Sequence, residues 1–274
     1  MAELRNIKWN SLIGTLCKKV YLKALLKSRS LQWWLTLGLR DNGYVMLDDL
    51  EGLVLEYKGV RFLPDVYNYA RMFEAWDRYP ALGKLRPDDT VLDLGANIGS
   101  FTLPAAKATR KVIAVEPIFY KALQGNIKLN GLNNVEVLPV SVIESRVDAG
   151  LSGLKTSLGL LHTESLSAVL DEITIWRMDI GGAEWSLSIP HFRKVRLFEI
   201  EFHFYTLKQR KEGNWSSWKN FFQENGYGYT ARWSKHRHWL YVSAEKVERP
   251  LWREYQLRDG SFRGESLKIW RENV

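Results

Sequence analysis

The sequence has one cysteine and no long uninterrupted apolar segment, and each absence excludes a class of protein. Cys17 cannot form a disulfide within the chain, which excludes a secreted fold held by internal disulfides. No uncharged apolar run approaches the roughly 18 residues that a membrane-spanning helix needs. The chain also does not open with a cationic stretch, an apolar block and a cleavage site. Together these features predict a soluble, cytoplasmic protein.

The remaining composition is that of a folded protein with a large core. The 274 residues are 46% hydrophobic and 13% aromatic, which excludes intrinsic disorder, collagen and coiled coil. Charge is uneven: residues 1–40 hold eight Lys/Arg and one acid, residues 41–192 hold 14 and 20, and residues 193–274 hold 17 and 10. The basic ends are suited to phosphate, an anionic glycan or an anionic membrane surface; the alternative is that they only aid solubility.

The spacing of apolar residues divides the chain into three regions. Residues 1–79 are predicted to form a basic amphipathic helix (7–27), short antiparallel strands (43–63) and a second helix (66–79). The first helix packs on the protein or, alternatively, makes a peripheral membrane or nucleic-acid contact. Residues 80–244 are predicted to form the main domain, and 245–274 a basic, aromatic tail.

The main domain alternates apolar strands with helical segments, which is typical of a parallel sheet covered on both faces. The predicted strands are 90–94, 111–115, 135–140, 173–178 and 195–201, with helices at 100–109, 118–130, 163–171, 183–190 and 215–224. A closing antiparallel hairpin is predicted at 227–233 and 239–244. This order predicts an α/β, Rossmann-like class I methyltransferase fold with a mainly parallel seven-stranded sheet.

The strongest local signal is VLDLGANIGSFTL at residues 91–103. An apolar strand ends near Asp93, a turn with Gly95 and Gly99 follows, and a helix begins near residue 100. Neither a G-x-G-x-x-G nor a G-x-x-x-x-G-K-[ST] motif is present. A carboxylate here repels a pyrophosphate and attracts a cationic sulfonium and amino group, which favours S-adenosylmethionine as the cofactor.

A second acid, Glu116, ends the next apolar strand, 23 residues after Asp93. That is the length of one strand-helix-strand step, so both acids are expected at neighbouring strand tips, with Glu116 where ribose hydroxyls lie. The alternative is that both acids only cap helix N-termini.

The order of several motifs resembles FkbM-type S-adenosylmethionine-dependent methyltransferases. These are DLGANIGSF, VIAVEP, NIKLNGLNNVEVLPVSV, WRMDIGGAEW, FEIEFH and FFQENGY, which together span roughly residues 60–244. The resemblance implies a class I fold, S-adenosylmethionine, and methylation of a sugar or natural-product hydroxyl. It implies that the first glycine turn contacts the methionine part, that Glu116 holds the ribose, and that Ser141 lies beside adenine. The predicted cofactor-binding residues are Asp93, Gly95, Ala96, Asn97, Gly99, Phe101, Glu116, Pro117 and Ser141.

The segment around residues 177–184 departs from the family pattern. The family usually has K-x-D-x-E-G-x-E, whereas this chain has Arg177, Asp179, Gly181, Gly182 and Glu184. One acidic position is therefore a glycine, and the stretch between Val142 and Ser165 is short. The family's catalytic acids and substrate do not carry over on this evidence.

Methyl transfer from a sulfonium depends on holding the nucleophile in line, and a hydroxyl nucleophile benefits from a base. The predicted catalytic residues are Asp179 as orienter or base, Glu201 as its partner, and His203 as general base, because all three follow strand ends. The alternative for His203 is a packed, hydrogen-bonded side chain. No ligand spacing assigns a metal, although a divalent ion on this rim stays open.

Three functions follow in order. The first is O-methylation of a sugar, glycan or small-molecule hydroxyl, since no Asn/Asp-Pro-Pro-Tyr loop is present and Cys17 lies far from any strand tip. The second is RNA methylation, supported by the basic ends and by aromatic residues interleaved with cations in the last third. The third is cofactor binding without catalysis. Oligomeric state and acceptor identity are open.

Overall fold

The computed structural model describes residues 44–49, 52–57, 59–63, 79–143, 160–162, 171–186, 194–204, 215–234 and 238–256. The chain forms two compact units, Met1–Phe73 and Glu74–Val274. The described part of the first unit is an antiparallel sheet of three strands, β1 (Tyr44–Asp49), β2 (Gly52–Tyr57) and β3 (Val60–Phe62). The short antiparallel strands expected at 43–63 are therefore present.

The second unit is built on an eight-stranded sheet. Its strands are β4 (Thr90–Leu94), β5 (Lys111–Val115), β6 (Val135–Leu138), β9 (Ile175–Met178), β10 (Leu197–His203), β11 (Tyr227–Trp233), β12 (Trp239–Lys246) and β13 (Trp252–Gln256). A separate parallel pair is formed by β7 (Ser141–Ile143) and β8 (Leu160–His162). The described helices are α1 (Thr102–Ala108), α2 (Tyr120–Leu129) and α3 (Trp215–Glu224), with 3-10 turns at Pro80–Lys84 and Ala183–Ser186.

The strand order across the sheet is β6-β5-β4-β9-β10-β12-β11-β13. Strands β4, β5, β6, β9 and β10 are parallel, whereas β12 runs antiparallel to both β10 and β11. The order reverses between β4 and β9, and in open α/β sheets ligands bind at the carboxyl ends of the strands beside such a switch point. The candidate site is therefore expected where β4 and β9 end.

The strand count differs from the expected seven. The additional strand, β13, pairs in parallel with β11 at the edge of the sheet, within the stretch predicted to be a tail. Its exposed Trp252 and Tyr255 mix with charged residues, and this composition hid the strand from sequence patterns. The hairpin is present, with β12 continuing two residues beyond the expected end.

The two faces of the sheet differ in chemistry. On one face, α3 packs Trp215, Trp218 and Phe222 against Phe198 and Phe202 of β10, with ring centroids 5.4–6.4 Å apart. Burial of each such aromatic side chain contributes about 1.5–3 kcal/mol. The opposite face carries α1, α2 and the alternate strand residues, among them the polar groups described below. Strand alternation thus separates an apolar face from a polar one.

The other expected elements agree in part with the structure. The strands at 90–94 and 111–115 and the helix at 215–224 have the expected bounds, and the remaining described elements differ by a few residues. In the segment expected to be helical at 183–190, the described part is the 3-10 turn that ends at Ser186. The helices expected at 7–27 and 66–78, the one at 163–170, the hairpin residues 235–237 and the end of the tail lie outside the described residues. Among the helices that the structure describes, none combines the length and apolar character needed to cross a membrane.

Candidate functional site

The glycine turn after β4 lies directly against the loop after β9. Gly95 has φ +83°, and a Cβ added there would lie 2.0 Å from the carbonyl oxygen of Asp179. Both the positive φ and this close approach require glycine. The turn that was expected to bind the cofactor is therefore locked to the loop that carries Asp179.

Asp93 lies at the end of β4 with its side chain fully buried. Its Oδ1 accepts a hydrogen bond from Arg177 at 2.9 Å, and its Oδ2 accepts one from the hydroxyl of Thr102 at 2.5 Å. Burial raises the pKa of Asp93, and the charge of Arg177 opposes this only in part. The expectation that Asp93 attracts a cationic ligand changes accordingly, because its charge is already compensated within the protein.

Arg177, in β9, joins the two loops. Its Nη2 donates to Asp179 Oδ2 at 2.8 Å and to the hydroxyl of Tyr79 at 3.1 Å, and its Nη1 donates to the carbonyl of Gly95 at 2.7 Å as well as to Asp93. Burial alone would lower its pKa, but Tyr79, Asp93 and Asp179 raise it well above the usual value. Arg177 is thus a permanent cation that bridges two acids.

Glu116 follows β5 and is buried at the same edge. Its Oε2 accepts from the backbone N–H of Asn97 at 2.8 Å, and its Oε1 accepts from the N–H groups of Ile118 and Phe119 at 2.7 and 2.9 Å. The contacts to Ile118 and Phe119, just before α2, are those of the alternative helix-capping role. The contact to Asn97 also ties the β5 end to the glycine turn, and Oε2 retains a further lone pair for a hydroxyl donor.

The other predicted cofactor residues are not equivalent in position. The side chains of Ala96 and Phe101 are packed in the core, whereas Asn97 and Pro117 are half-buried at the carboxyl edge. Asn97 has φ +54°, so the turn holds a left-handed backbone at a residue other than glycine. Ser141 lies in β7, outside the main sheet and three residues beyond the end of β6.

Four ionisable side chains meet where β9 and β10 end. His203 Nδ1 lies 2.9 Å from Glu184 Oε1, and its Nε2 lies 3.7 Å from both Asp179 Oδ1 and Glu201 Oε1. Glu184 is fully buried, and the same Oε1 also accepts from the backbone N–H groups of Ile180 and Gly182. The predicted trio is therefore brought together, with Glu184 as a fourth member.

The charges of this cluster act on the histidine. Burial alone would lower the pKa of His203, but the hydrogen bond and charge of Glu184, followed by Asp179 and Glu201, raise it to about 9. His203 therefore carries two ring protons at neutral pH. A protonated imidazole donates hydrogen bonds and stabilises negative charge, so the expected role as general base does not follow from this geometry.

Arg177 and Glu184 were not among the predicted site residues. The only sequence signal for them was their position in the WRMDIGGAEW segment, and neither strand periodicity nor helix capping reveals a contact between β9 and β10. A cavity of about 450 Å³, lined by Arg110, Asn134 and Glu172 among others, lies at the amino ends of the strands and does not join this cluster.

Comparisons with known proteins give distant methyltransferase matches. No family model matches the chain. A ribosomal protein L11 methyltransferase of Clostridium botulinum is 26% identical over 176 residues, which cover 61% of this chain and 52% of that protein. A probable ribosomal RNA small subunit methyltransferase A of Methanosphaera stadtmanae is 41% identical over 56 residues, 20% of this chain and 21% of that protein. The chain thus spans between about a fifth and about a half of the length of the curated relatives it matches.

Among solved structures, Methanocaldococcus jannaschii TYW2 in complex with AdoMet is 20% identical with a TM-score of 0.41, covering 75% of this chain and 87% of that one. The strand order, with one antiparallel strand after five parallel ones, and the sequence similarity to methyltransferases agree. The chain has the Rossmann-like fold of class I methyltransferases. The FkbM subtype is not shown, since no family model matches.

Proposed function

We propose that the protein is an S-adenosylmethionine-dependent methyltransferase that acts on RNA. The observation that carries the cofactor is the junction of the glycine turn with Glu116 at the carboxyl edge, beside the switch point. Glu116 has spare lone pairs for ribose hydroxyls, and the backbone of Gly95 and Asn97 lies half-buried next to it. These residues fit an adenosyl group, which supplies an electrophilic methyl when it is bound.

The RNA acceptor is favoured by the relatives and by charge. The matched Methanosphaera protein is named as a ribosomal RNA methyltransferase. Residues 193–274 carry 17 Lys/Arg against 10 acids, and the first 40 residues are also strongly basic. Excess cations of this kind bind a phosphate backbone and make the affinity depend on salt.

At the acceptor, the cluster divides the work among its members. Arg177 holds one oxygen of Asp179, which leaves Oδ1 directed toward His203 and suited to orient a hydroxyl and take its proton. His203, charged and held by Glu184, stabilises the negative charge that develops on the acceptor oxygen. Glu201 is the second carboxylate facing the same ring nitrogen.

The cofactor is tested by thermal and chemical unfolding with S-adenosylhomocysteine. At a hundred times its Kd, the ligand should add about 2.7 kcal/mol to the free energy of unfolding. Glu116→Gln should remove most of this gain, because one oxygen becomes a donor facing hydroxyl donors. The exposed Glu136→Gln is the matched control and should behave as wild type. An equal gain in Glu116→Gln would remove Glu116 from the site.

The acceptor is tested with methyl-labelled S-adenosylmethionine and total RNA. Label should enter RNA, and RNA affinity should fall steeply between 50 and 200 mM salt. Asp179→Asn should lower turnover while the effect of S-adenosylhomocysteine on stability persists. Salt-independent binding, or no label in RNA, would overturn the RNA assignment.

A second candidate is the FkbM-type reaction, O-methylation of a sugar or glycan hydroxyl. It is favoured by the acid and histidine cluster, which suits removal of a hydroxyl proton, together with the motif order noted above. Label entering glycans or sugar-bearing small molecules instead of RNA would select it.

A further inference from the structure

The cluster at the ends of β9 and β10 holds more negative than positive charge. Three carboxylates, those of Asp179, Glu184 and Glu201, face the single imidazole of His203. The nearby cation, Arg177, is already shared between Asp179 and Asp93. Buried carboxylates that outnumber their cations in this way are costly unless another cation joins them.

One oxygen of the cluster has no donor. Glu184 is fully buried, and its Oε1 accepts from two backbone N–H groups and faces His203. Its second oxygen, Oε2, is buried without a hydrogen-bond partner. An anionic oxygen of this kind calls for an explanation, and an absent cation or its bound water is one.

The positions of the side chains fit a metal ion. Asp179, Glu184 and His203 each offer one ligand atom, and these three atoms lie within 4.8 Å of one another. The 3.7 Å between His203 Nε2 and Asp179 Oδ1 is too long for a hydrogen bond. Two ligands each about 2.1 Å from one ion lie about 3.0–3.4 Å apart, so a shift of a few tenths of an ångström brings both onto a cation.

The contact on the other ring nitrogen supports the same arrangement. A histidine that binds a metal through Nε2 must keep its proton on Nδ1, and this proton is usually donated to a carboxylate or carbonyl. Glu184 occupies that place at 2.9 Å from Nδ1. Its buried position fixes the ring so that Nε2 points toward Asp179 and Glu201.

We propose that His203 and Asp179, with Glu184 holding the imidazole ring, bind a divalent transition-metal cation such as Mn²⁺ or Zn²⁺. A mixed imidazole and carboxylate set favours these ions over Ca²⁺, which takes oxygen ligands. The inference goes beyond the proposed function and needs neither cofactor nor acceptor. If the proposed methyl transfer to a hydroxyl is also correct, the cation lies where it favours the deprotonated acceptor.

The test is titration of the full chain, stripped with a chelator, with Mn²⁺ followed by electron paramagnetic resonance, and with Zn²⁺ followed by calorimetry. One saturable site is expected. Asp179→Asn and His203→Asn should weaken it at least tenfold, and Glu184→Gln by about 10–100-fold, the usual effect of losing the carboxylate behind a metal-bound histidine. The matched controls, Glu248→Gln and His238→Asn, should leave binding unchanged.

Circular dichroism separates loss of the site from loss of the fold. If His203→Asn does not fold, Asp179→Asn alone decides, because it changes one half-exposed carboxylate to an amide of the same shape. Absence of a saturable site in the wild-type chain overturns the proposal. So does binding that survives in a folded Asp179→Asn variant.

Discussion

The two ends of the parallel strands use the same residue types with different results. At the amino ends, Asp89 is buried and accepts hydrogen bonds from Arg196, from the hydroxyl of Thr174 and from the backbone N–H of Arg86. Burial alone would raise the pKa of Asp89, but the bonds from Arg196 and Thr174 outweigh it and lower the pKa. Every oxygen of this acid is partnered, and one cation serves one acid.

At the carboxyl ends the balance is reversed. Arg177 serves two acids, burial raises the pKa of Asp93, and a Glu184 oxygen lacks a donor. A cluster whose polar groups are all satisfied contributes to stability, whereas surplus charge stored at a strand edge indicates a ligand. The difference between the two ends therefore separates a structural network from a candidate site.

The largest expected effect is at Arg177. Arg177→Met leaves Asp93 as a buried carboxylate without its cation, which should cost about 3–5 kcal/mol of unfolding free energy, measured by urea denaturation. Arg196→Met at the amino ends is the matched variant and should cost less, because Asp89 keeps its bonds from Thr174 and Arg86. A smaller loss for Arg177→Met than for Arg196→Met would contradict the contrast.

A pH-dependent effect is expected at Glu199, which lies on β10 between the two ends. Burial raises the pKa of Glu199 to about 8, with the hydrogen bond from the backbone of Ala81 opposing in part. The folded state thus keeps a proton that the unfolded chain loses above about pH 4.5. Stability should therefore fall as the pH rises from about 4.5 to 8.

The test is Glu199→Gln, which should lessen this fall and be more stable than wild type at pH 8 by about 1–3 kcal/mol. Unfolding free energies measured at several pH values between 5 and 8 check it. Parallel profiles of variant and wild type would show that Glu199 does not titrate in this range.

A moderate effect is expected at Glu184. Glu184→Gln replaces a charge-assisted hydrogen bond to His203 by a neutral one and should cost about 1.5–3 kcal/mol in chelator-containing buffer at pH 7. Denaturant unfolding measures the loss. Unchanged stability would mean that Glu184 serves only a ligand and not the fold.

The smallest effect is expected at the ion pair between Lys111 and Glu136 near the amino ends. Both side chains are more than a third exposed. Glu136→Gln should change the unfolding free energy by at most about 0.5 kcal/mol, since exposed pairs gain little in water. A loss above 1 kcal/mol would show that exposure is a poor guide to the energetics at this end.

These contrasts also affect how the cofactor is tested. Asp93→Ala, the substitution that the glycine motif suggests first, unpairs Arg177 and is expected to damage the fold. Loss of ligand binding in that variant would be ambiguous. Glu116 is the better position, because its partners are backbone N–H groups and its removal leaves no buried charge unpaired.

The sequence alone determined the parallel core and the location of its edge. The apolar runs that become β4 and β5, the glycine turn after Asp93 and the acid at Glu116 are local patterns, and local patterns set backbone conformation. Strand β13 and the pair β7–β8 were not foreseen, because their short, mixed sequences lack a period and depend on neighbours for hydrogen bonds.

Only the tertiary structure decided what the charged residues do. Asp93 and Arg177 are 84 positions apart and meet because β4 and β9 are neighbours in register. Glu184 and His203 meet because one 3-10 turn lies beside the end of β10. Burial and pairing control the charge of such groups, and both arise from chain crossings that no sequence spacing contains.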